Sequence, residues 1–540
     1  GDREIFVRTI GIVGKTRDQR LVESEAESML RGDIPYFYNK GRDLMSEQQI
    51  CIPDYFIDAP EQTVRNRLSK IGRRDEKLQV RLINLSLTIA GKLGKERMDF
   101  ERKKSGLHKA DQEKKVSADR LFSICEKLAG LILENVYEDE EGKLQVLSID
   151  LSEQCRSKIR RVTHYFYEGI AGIVVYLYAL ERARKQRQET QGQAELQLEK
   201  KIADRLFLRL KEYTETLDIS ENMSADAPEN AGRTGMFDGE FSIVYSYLLL
   251  YEIDKKEEHL HLAELHAKKS LVLLREDKSY DLLGGNAGAI LVLLKLYGIT
   301  GDREYLQAAI EAGDLLCGHA EQMTCGTGWR GAEKTPLCGM AHGNSGIMIA
   351  LCRLYRITGE KRYYDLCLRA LDYEDSMYEE KFHDWKDLRE EFMRQGQSGE
   401  QEMAWCHGAG GIALSRKLMV DALLEDQESE EAADLRERLE KDIKKAMPMI
   451  SKHFLRDGMC ICHGTMGNYR ILEKLREYAG RGVMAEAEAA VHEKIVGLEK
   501  EEPELPAQEY HAPGFMNGAA GIGYELLREI YDELPWILGL

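Results

Sequence analysis

The chain has 540 residues and a formal net charge of −18, with 94 acidic against 76 basic side chains. Such a length supports a large buried core, while the acidic balance argues against non-specific nucleic-acid binding, which needs Lys and Arg to neutralise phosphates. No apolar run approaches the roughly 20 residues of a membrane span, no secretory signal is read at the start, and eleven cysteines without a compact framework read as reduced thiols of a cytoplasmic protein.

Residues 1–97 hold no repeat and include turn-rich pieces such as Arg31-Gly32-Asp33-Ile34-Pro35-Tyr36-Phe37, followed by a helical tail from Val64 to Leu87. The sequence around Gly1 does not look like a natural start, so the expectation is a piece of a longer protein. Residues 98–115 are highly charged and poor in large apolar side chains, which suits a linker or an exposed helix. From Val116 onward the pattern is almost wholly helical.

Within 116–540 a glycine pair, G-x-x-G or a close variant, recurs seven times, each just before an apolar helical run. The turns are Glu168-Gly169-Ile170-Ala171-Gly172, Asp238-Gly239-Glu240-Phe241-Ser242, Gly284-Gly285-Asn286-Ala287-Gly288 and His342-Gly343-Asn344-Ser345-Gly346. They continue with His407-Gly408-Ala409-Gly410-Gly411, His463-Gly464-Thr465-Met466-Gly467 and Asn517-Gly518-Ala519-Ala520-Gly521. Their spacing of about 46 to 70 residues fits a pair of helices with variable loops.

The helices after the turns (Ile170 to Leu180, Ile243 to Leu250, Ala289 to Tyr297, Ile347 to Tyr355) are apolar nearly all round, as buried helices are. Those before them, such as Leu435 to Met447, carry one charged face. Apolar inner and amphipathic outer helices imply an all-α protein, an α/α toroid of about seven helical hairpins. An open solenoid would need polar caps at its ends, and the last repeat, Asn517 to Ile530, is as apolar as the rest. The charged insertions Ala183 to Lys201, Leu424 to Ala433 and Glu499 to Glu504 read as surface segments.

In such a ring every inner helix starts at the same end of the axis, so Glu168, Asp238, Gly284, His342, His407, His463 and Asn517 converge. Glu168 and Asp238 read as polar caps of their helices. Cys406 and Cys462 precede the turn histidines of neighbouring repeats, and helix N-termini favour thiolate over thiol. Thiolates and imidazole suit zinc, and three protein ligands leave a position open for substrate. The expected ligands are Cys406, Cys462 and His463. Cys460 is an alternative to Cys462 that the repeat register disfavours. His407 and Trp405, beside the ligand Cys406, either support the site or fill space at the turn. Cys317, His319, Cys325 and Cys338 lack ligand spacing and read as packing residues.

Trp405-Cys406-His407-Gly408, Cys462-His463-Gly464, Ala341-His342-Gly343-Asn344-Ser345-Gly346, Asp281-Leu282-Leu283-Gly284-Gly285-Asn286-Ala287-Gly288 and Met516-Asn517-Gly518-Ala519-Ala520-Gly521-Ile522-Gly523-Tyr524 together resemble the lanthionine-forming cyclases of lanthipeptide biosynthesis, over roughly residues 115 to 540. The segment Gly32–Phe37, with Asp75 and Gln79, resembles the end of the kinase-like dehydratase domain of class II, bifunctional synthetases. The resemblance implies a dehydratase remnant at 1–97, a linker at 98–115 and a zinc-dependent cyclase at 116–540. No nucleotide-binding or phosphorylating set is present in the sequence, so dehydration is not expected of this chain. The expected partners are a dehydrated precursor peptide with its leader and the dehydratase half of the full-length synthetase.

By resemblance, Zn2+ on Cys406, Cys462 and His463 activates a substrate cysteine thiol, which adds to a dehydroalanine or dehydrobutyrine. His342 is then the acid/base group, and Asp281 matches the family's catalytic aspartate. Three rival readings stand beside this one: a glycoside-processing helical ring using Glu168, Asp238 and Asp281, a relative that adds glutathione to dehydrated residues, and a non-catalytic zinc scaffold that binds peptides.

Overall fold

The computed structural model describes residues 7, 18–47, 51–69, 71–99, 116–150, 158–187, 193–219, 233–331, 333–390, 403–424, 430–500, 503 and 505–539. It comprises two compact units, Gly1–Ile83 and Asn84–Leu540. The expected linker 98–115 lies outside the described residues, apart from its first two, which end the helix Arg73–Asp99.

In the first unit, helix Gln19–Leu30 starts at Asp18, whose carboxylate accepts the Arg20 N–H at 3.0 Å. A three-stranded antiparallel sheet follows, Phe37–Lys40, Asp43–Ser46 and Cys51–Ile52, with Phe37 opposite Ser46 and Leu44 opposite Ile52. The helical tail expected from Val64 to Leu87 is two helices, Pro60–Ser69 and Arg73–Asp99. The break falls at Gly72, the poorest helix former in that stretch.

In the second unit seven inner helices alternate with outer ones. The inner set is Ile170–Arg187, Glu240–Asp254, Asn286–Thr300, Asn344–Thr358, Gly408–Leu424, Thr465–Lys474 and Ala519–Arg528. The outer set is Ala118–Leu133, Gln193–Thr216, Glu257–Ser270, Arg303–Gly318, Lys361–Ser376, Glu430–His453 and Arg481–Gly497. Every described residue from Ile170 to Leu177 and from Glu240 to Leu250 is buried, which explains why these stretches are apolar on all sides. The helical expectation missed a three-stranded sheet, Val136–Glu138, Leu144–Asp150 and Lys158–Arg161, between the first outer and first inner helices. Its central strand, Leu144-Gln145-Val146-Leu147-Ser148-Ile149, is short and rich in β-formers, and a short apolar run of this kind does not distinguish strand from helix.

The outer helices Ala118–Leu133 and Arg303–Gly318 are capped by side chains, Ser117 and Asp302. The inner helices that begin at Glu240, Asn286, Asn344, Thr465 and Ala519 are not. Instead, the first helical N–H returns to a carbonyl of its own loop: Ile170 to Thr163, Glu240 to Arg233, Asn286 to Ser279, Asn344 to Leu337, Thr465 to Gly458 and Ala519 to Ala512. This satisfies one orphan donor without a cap residue. A side chain at the second glycine would block the turn: a Cβ on Gly467 would overlap the Ile461 carbonyl oxygen, and one on Gly521 that of Phe515.

The turns are joined into a circle by backbone hydrogen bonds. Tyr167 N–H donates to Phe237 O at 2.9 Å, Phe237 to Leu283 at 3.1 Å, Leu283 to Ala341 at 3.1 Å and Ala341 to Cys406 at 3.3 Å. Trp405 N–H then donates to Cys462 O at 3.0 Å, Cys462 to Met516 at 2.8 Å, and Met516 back to Tyr167 at 2.8 Å. The second unit is a closed α/α toroid.

Candidate active site at the ring axis

The residue two places before each first glycine sits in this hydrogen-bonded circle: Tyr167, Phe237, Leu283, Ala341, Cys406, Cys462 and Met516. The next residue in each turn, Glu168 through Asn517, lies one step toward the mouth. Glu168 accepts from Asn517 Nδ2 at 2.7 Å and pairs with Arg160, and Asp238 pairs with Arg233 at 3.2 Å. Each carboxylate thus pairs with an arginine that shortly precedes it in the chain, and Asp238 does not cap the helix Glu240–Asp254.

The imidazole of His342 binds Asp281 through Nδ1, 3.0 Å from Oδ2. The other Asp281 oxygen accepts the Gly284 N–H at 2.8 Å, which fixes the carboxylate against its own turn. Nε2 of His342 is left for the cavity. Burial works against the imidazolium of His342, but the hydrogen bond and charge of Asp281 outweigh it and hold the pKa above the ordinary value. His407 stacks on His342 with ring centroids 5.4 Å apart. Its pKa falls to about 3, through burial first, then the Arg389 and His342 charges.

His342 lines two cavities. One, of about 370 Å³, includes Tyr280, Asp281, Trp329, Arg389 and His407. The other, of about 270 Å³, includes Arg160, Tyr167, Glu168 and Asp238.

Cys406 and Cys462 are brought together as neighbours in the circle, with their thiols in hydrogen-bonding reach of one another. The thiol of Cys462 is pushed well above its ordinary pKa, by the Cys406 sulfur first and by burial second. Burial, then the Cys462 and Cys406 sulfurs, push the Tyr167 phenol well above its ordinary pKa.

His463 follows Cys462 in the chain, and its backbone N–H points to the buried Cys460 thiol. Its imidazole is not gathered with the two sulfurs: among the described residues no group of three His, Cys, Asp or Glu side chains is arranged to hold a metal ion. Two adjacent soft donors, the buried Cys462 and the half-buried Cys406, fit half of a zinc site. Trp405 is fully buried, edge-on to Phe237 at 4.9 Å, and so packs beneath the sulfur layer.

Buried carboxylates hold the turns in place. Glu509 accepts the N–H groups of Met459 at 2.5 Å and Cys460 at 3.1 Å, just before Cys462. Glu374 accepts from Gly339 N–H at 3.4 Å and from the Ser345 hydroxyl, on either side of His342. Neither glutamate sits in a sequence motif.

The family described as "Lanthionine synthetase C-like protein" matches residues 162–538, which include every site residue above except Arg160. The chain belongs to that family. It is 24% identical over 475 residues to "Lacticin 481/lactococcin biosynthesis protein LcnDR2" from Lactococcus lactis subsp. lactis, covering 85% of this chain but only 45% of that relative. Among solved structures the lanthionine synthetase C-like chain is similar to "Nisin cyclase", with 17% identity, a TM-score of 0.48, and coverage of 68% of this chain and 89% of that one. It is also similar to an unsaturated glucuronyl hydrolase specific for heparin, with 12% identity, a TM-score of 0.37, and coverage of 67% and 98%. Among the described residues no helix is long and apolar enough to cross a membrane.

Proposed function

We propose that this chain closes thioether rings in a dehydrated precursor peptide, by adding cysteine thiols to dehydroalanine or dehydrobutyrine in the same molecule. The observation that carries this reading is the His342–Asp281 pair, 3.0 Å apart, at the same end of one closed ring as the adjacent Cys406 and Cys462 thiols. Family membership supports cyclase chemistry on that frame.

Cys406 and Cys462, with His463 once its imidazole turns toward them, are the residues that would hold Zn2+. Zinc, when bound there, supplies a Lewis acid that keeps a substrate thiol ionised near neutral pH. The chain's own residues handle the rest. The substrate's sulfur–carbon bond forms at the β-carbon as the double-bond pair moves toward the adjacent carbonyl. His342, held through Nδ1 by Asp281, places the proton at the α-carbon from Nε2. His407, uncharged and stacked on it, limits how the ring can tilt. The cavities on either side of His342 are the space for the peptide loop being closed.

Residues 1–97 are read as the end of a dehydratase domain, joined through 98–115 to the cyclase at 116–540, as in a class II bifunctional synthetase. The much longer relative supports this. A dehydrated peptide with its leader and a dehydratase half are then the partners.

The test is zinc per chain together with ring closure on a dehydrated peptide carrying free cysteines. His342→Ala is expected to keep about one zinc and to lose ring formation by roughly 10²-fold or more, whereas Cys462→Ala loses both. Full cyclisation by His342→Ala removes that residue from the reaction. Ring closure leaves product mass unchanged while consuming free thiols, a mass gain with glutathione shows the thiol-adding relative, and zinc binding without product shows a scaffold. Activity that survives chelation favours the carboxylate-based reading.

A further inference from the structure

The sheet ahead of the first inner helix ends on the strand Lys158–Arg161, which pairs on one side only, with Leu144–Asp150. Val162 N–H donates to Val146 O, and the register sets Arg160 opposite Ser148 and Lys158 opposite Asp150. Bonding to the neighbour therefore runs through 158, 160 and 162, and the backbone N–H and C=O groups of Ile159 and Arg161 face away from the sheet. Among the described residues nothing bonds to them. The two arginines of this edge serve opposite faces, as consecutive strand residues do. Arg160 pairs with Glu168 and lines the cavity of about 270 Å³ that His342 also lines. Arg161 lies over the Tyr137 ring at 5.9 Å and lines a separate cavity of about 800 Å³.

That larger cavity holds a second arginine. Arg209, on the outer helix Gln193–Thr216, donates Nη1 to the Leu144 carbonyl and to Gln145 Oε1 at 2.6 Å, which fixes its guanidinium against the sheet. Arg160 and Arg205 nearby are paired with Glu168 and Glu138. Among the described residues neither Arg161 nor Arg209 has a carboxylate within ion-pairing distance. Of the carboxylates on the wall, Asp139 accepts from the N–H groups of Glu141 and Lys143 and from Gln145 Nε2, and Glu141 pairs with Lys143 at 3.2 Å. Glu140 and Glu212 line the cavity too, so the sign of its occupant's charge is set by the strand edge, which carries three cations and no acid. In a chain of net charge −18, two uncompensated arginines beside an open strand edge are a place for negative charge from outside.

We propose that this edge binds an acidic, extended stretch of the substrate peptide, added as a fourth strand beside Lys158–Arg161. The peptide backbone meets that of Ile159 and Arg161, alternate carboxylates enter the cavity of Arg161 and Arg209, and the other side chains face the mouth beside Arg160. The peptide is thus held at one wall of the mouth while the space at His342 stays clear. That the peptide is the cyclase's substrate rests on the proposed function, whereas the acidic-peptide site does not.

The full chain is titrated with a fluorescein-labelled peptide of alternating Glu and Thr, followed by anisotropy, and with the same peptide carrying Lys for Glu. The parent is expected to bind the Glu peptide at least about tenfold more tightly than the Lys peptide. Arg161→Glu should weaken the Glu peptide about tenfold or more. Lys441→Glu, the same charge change at an exposed site on the outer helix Glu430–His453, should match the parent. Ile159→Pro removes one outward N–H where an edge strand accepts proline, and should weaken binding several-fold. Equal binding by the parent and Arg161→Glu, or no preference for Glu over Lys, overturns the proposal. Unchanged binding by Ile159→Pro overturns the added strand, and displacement by inorganic phosphate at matched concentration shows a small-anion site instead. Should Arg161→Glu fail to unfold cooperatively, Arg161→Gln replaces it. In ring closure, Arg161→Glu is expected to raise KM several-fold for a dehydrated peptide that carries the Glu stretch. A parent that binds the Glu peptide but closes no ring overturns the cyclase reading and leaves this site standing.

Discussion

His342 and His407 stack ring on ring, yet their surroundings separate their protonation. Asp281 favours the charged form of His342, while burial and Arg389 keep His407 neutral. Pairs of titratable groups pushed apart in this way are how a site assigns acid and base roles. Held above its ordinary value by Asp281, His342 keeps its proton to higher pH than a free imidazole and loses it as pH rises through the elevated value. Single-turnover ring closure is therefore expected to fall as pH rises through that value. Asp281→Asn should move that fall to lower pH and slow the step at least about tenfold. A pH–rate profile unmoved by the substitution would separate Asp281 from the proton transfer. A second residue titrates against stability. Asp384 is buried, with Oδ1 accepting the Trp385 N–H at 2.8 Å and Oδ2 without a partner among the described residues. Burial, only partly opposed by backbone N–H groups, raises its pKa to about 7. The unfolded chain ionises this group near its ordinary value of 3.8, so folding holds a proton between there and about 7. Stability from this group is full below the lower value and is lost as pH rises through the higher one. Thermal unfolding across pH 5 to 8 should show Asp384→Asn gaining on the parent as pH rises, by on the order of 1–3 kcal/mol. Parallel curves would mean that Asp384 is already ionised in the fold.

Between elements, buried charge sets the geometry. Arg416, on the inner helix Gly408–Leu424, is fully buried and reaches Glu374 at 2.6 Å and Asp442 at 3.3 Å, on the two outer helices that flank it. Glu374 passes the constraint to Gly339 and Ser345, hence to the turn that presents His342. Glu374→Ala would leave Arg416 with half its compensation in a dry site, at a cost of about 3–5 kcal/mol. Denaturant unfolding checks this, and a loss below about 1 kcal/mol would show that water reaches Arg416. None of this was readable from the chain. Glu374 lies 42 residues from Arg416 in a charged outer helix, where a glutamate looks like any solvated one. What was readable was local and periodic: glycine pairs, apolar inner helices and their order. The pairing of Cys406 with Cys462 followed from register alone, because equivalent turns of adjacent repeats must meet. The position of the His463 side chain did not follow, since a rotamer depends on what fills the space around it. The sheet over 136–161 also escaped notice, because its strands are shorter than the window in which helix and strand periods differ.

At the scale of the whole second unit, closure turns seven repeats into one cooperative object. The seam is as well made as any other junction. Met516 and Phe515 donate to Tyr167 O, the Cys125 thiol donates to Gly523 O at 3.4 Å, and the Phe166 and Phe515 rings lie 4.5 Å apart. Tyr176 packs so closely that a Cβ on Gly523 would strike its ring. In an open solenoid each repeat contacts only its neighbours, so removing the last one subtracts one repeat and one interface. In a ring the same removal uncovers apolar faces on two repeats at once and leaves the circle of backbone bonds broken at Cys462 and at Tyr167. Deleting residues 507–540 removes the last inner helix, Ala519–Arg528, and one side of this seam. The truncated chain is expected to lose its cooperative thermal transition and to expose apolar surface to a hydrophobic dye, while keeping much of its helical circular dichroism. A truncated chain that still unfolds in one sharp step, a few degrees lower, would mean that the repeats are additive and the seam carries little. That outcome would also loosen the site, because Glu509, which holds the backbone ahead of Cys462, leaves with the deleted segment. Zinc uptake by the truncated chain then separates the two effects: a ring that survives without Glu509 should still be cooperative but bind metal more weakly.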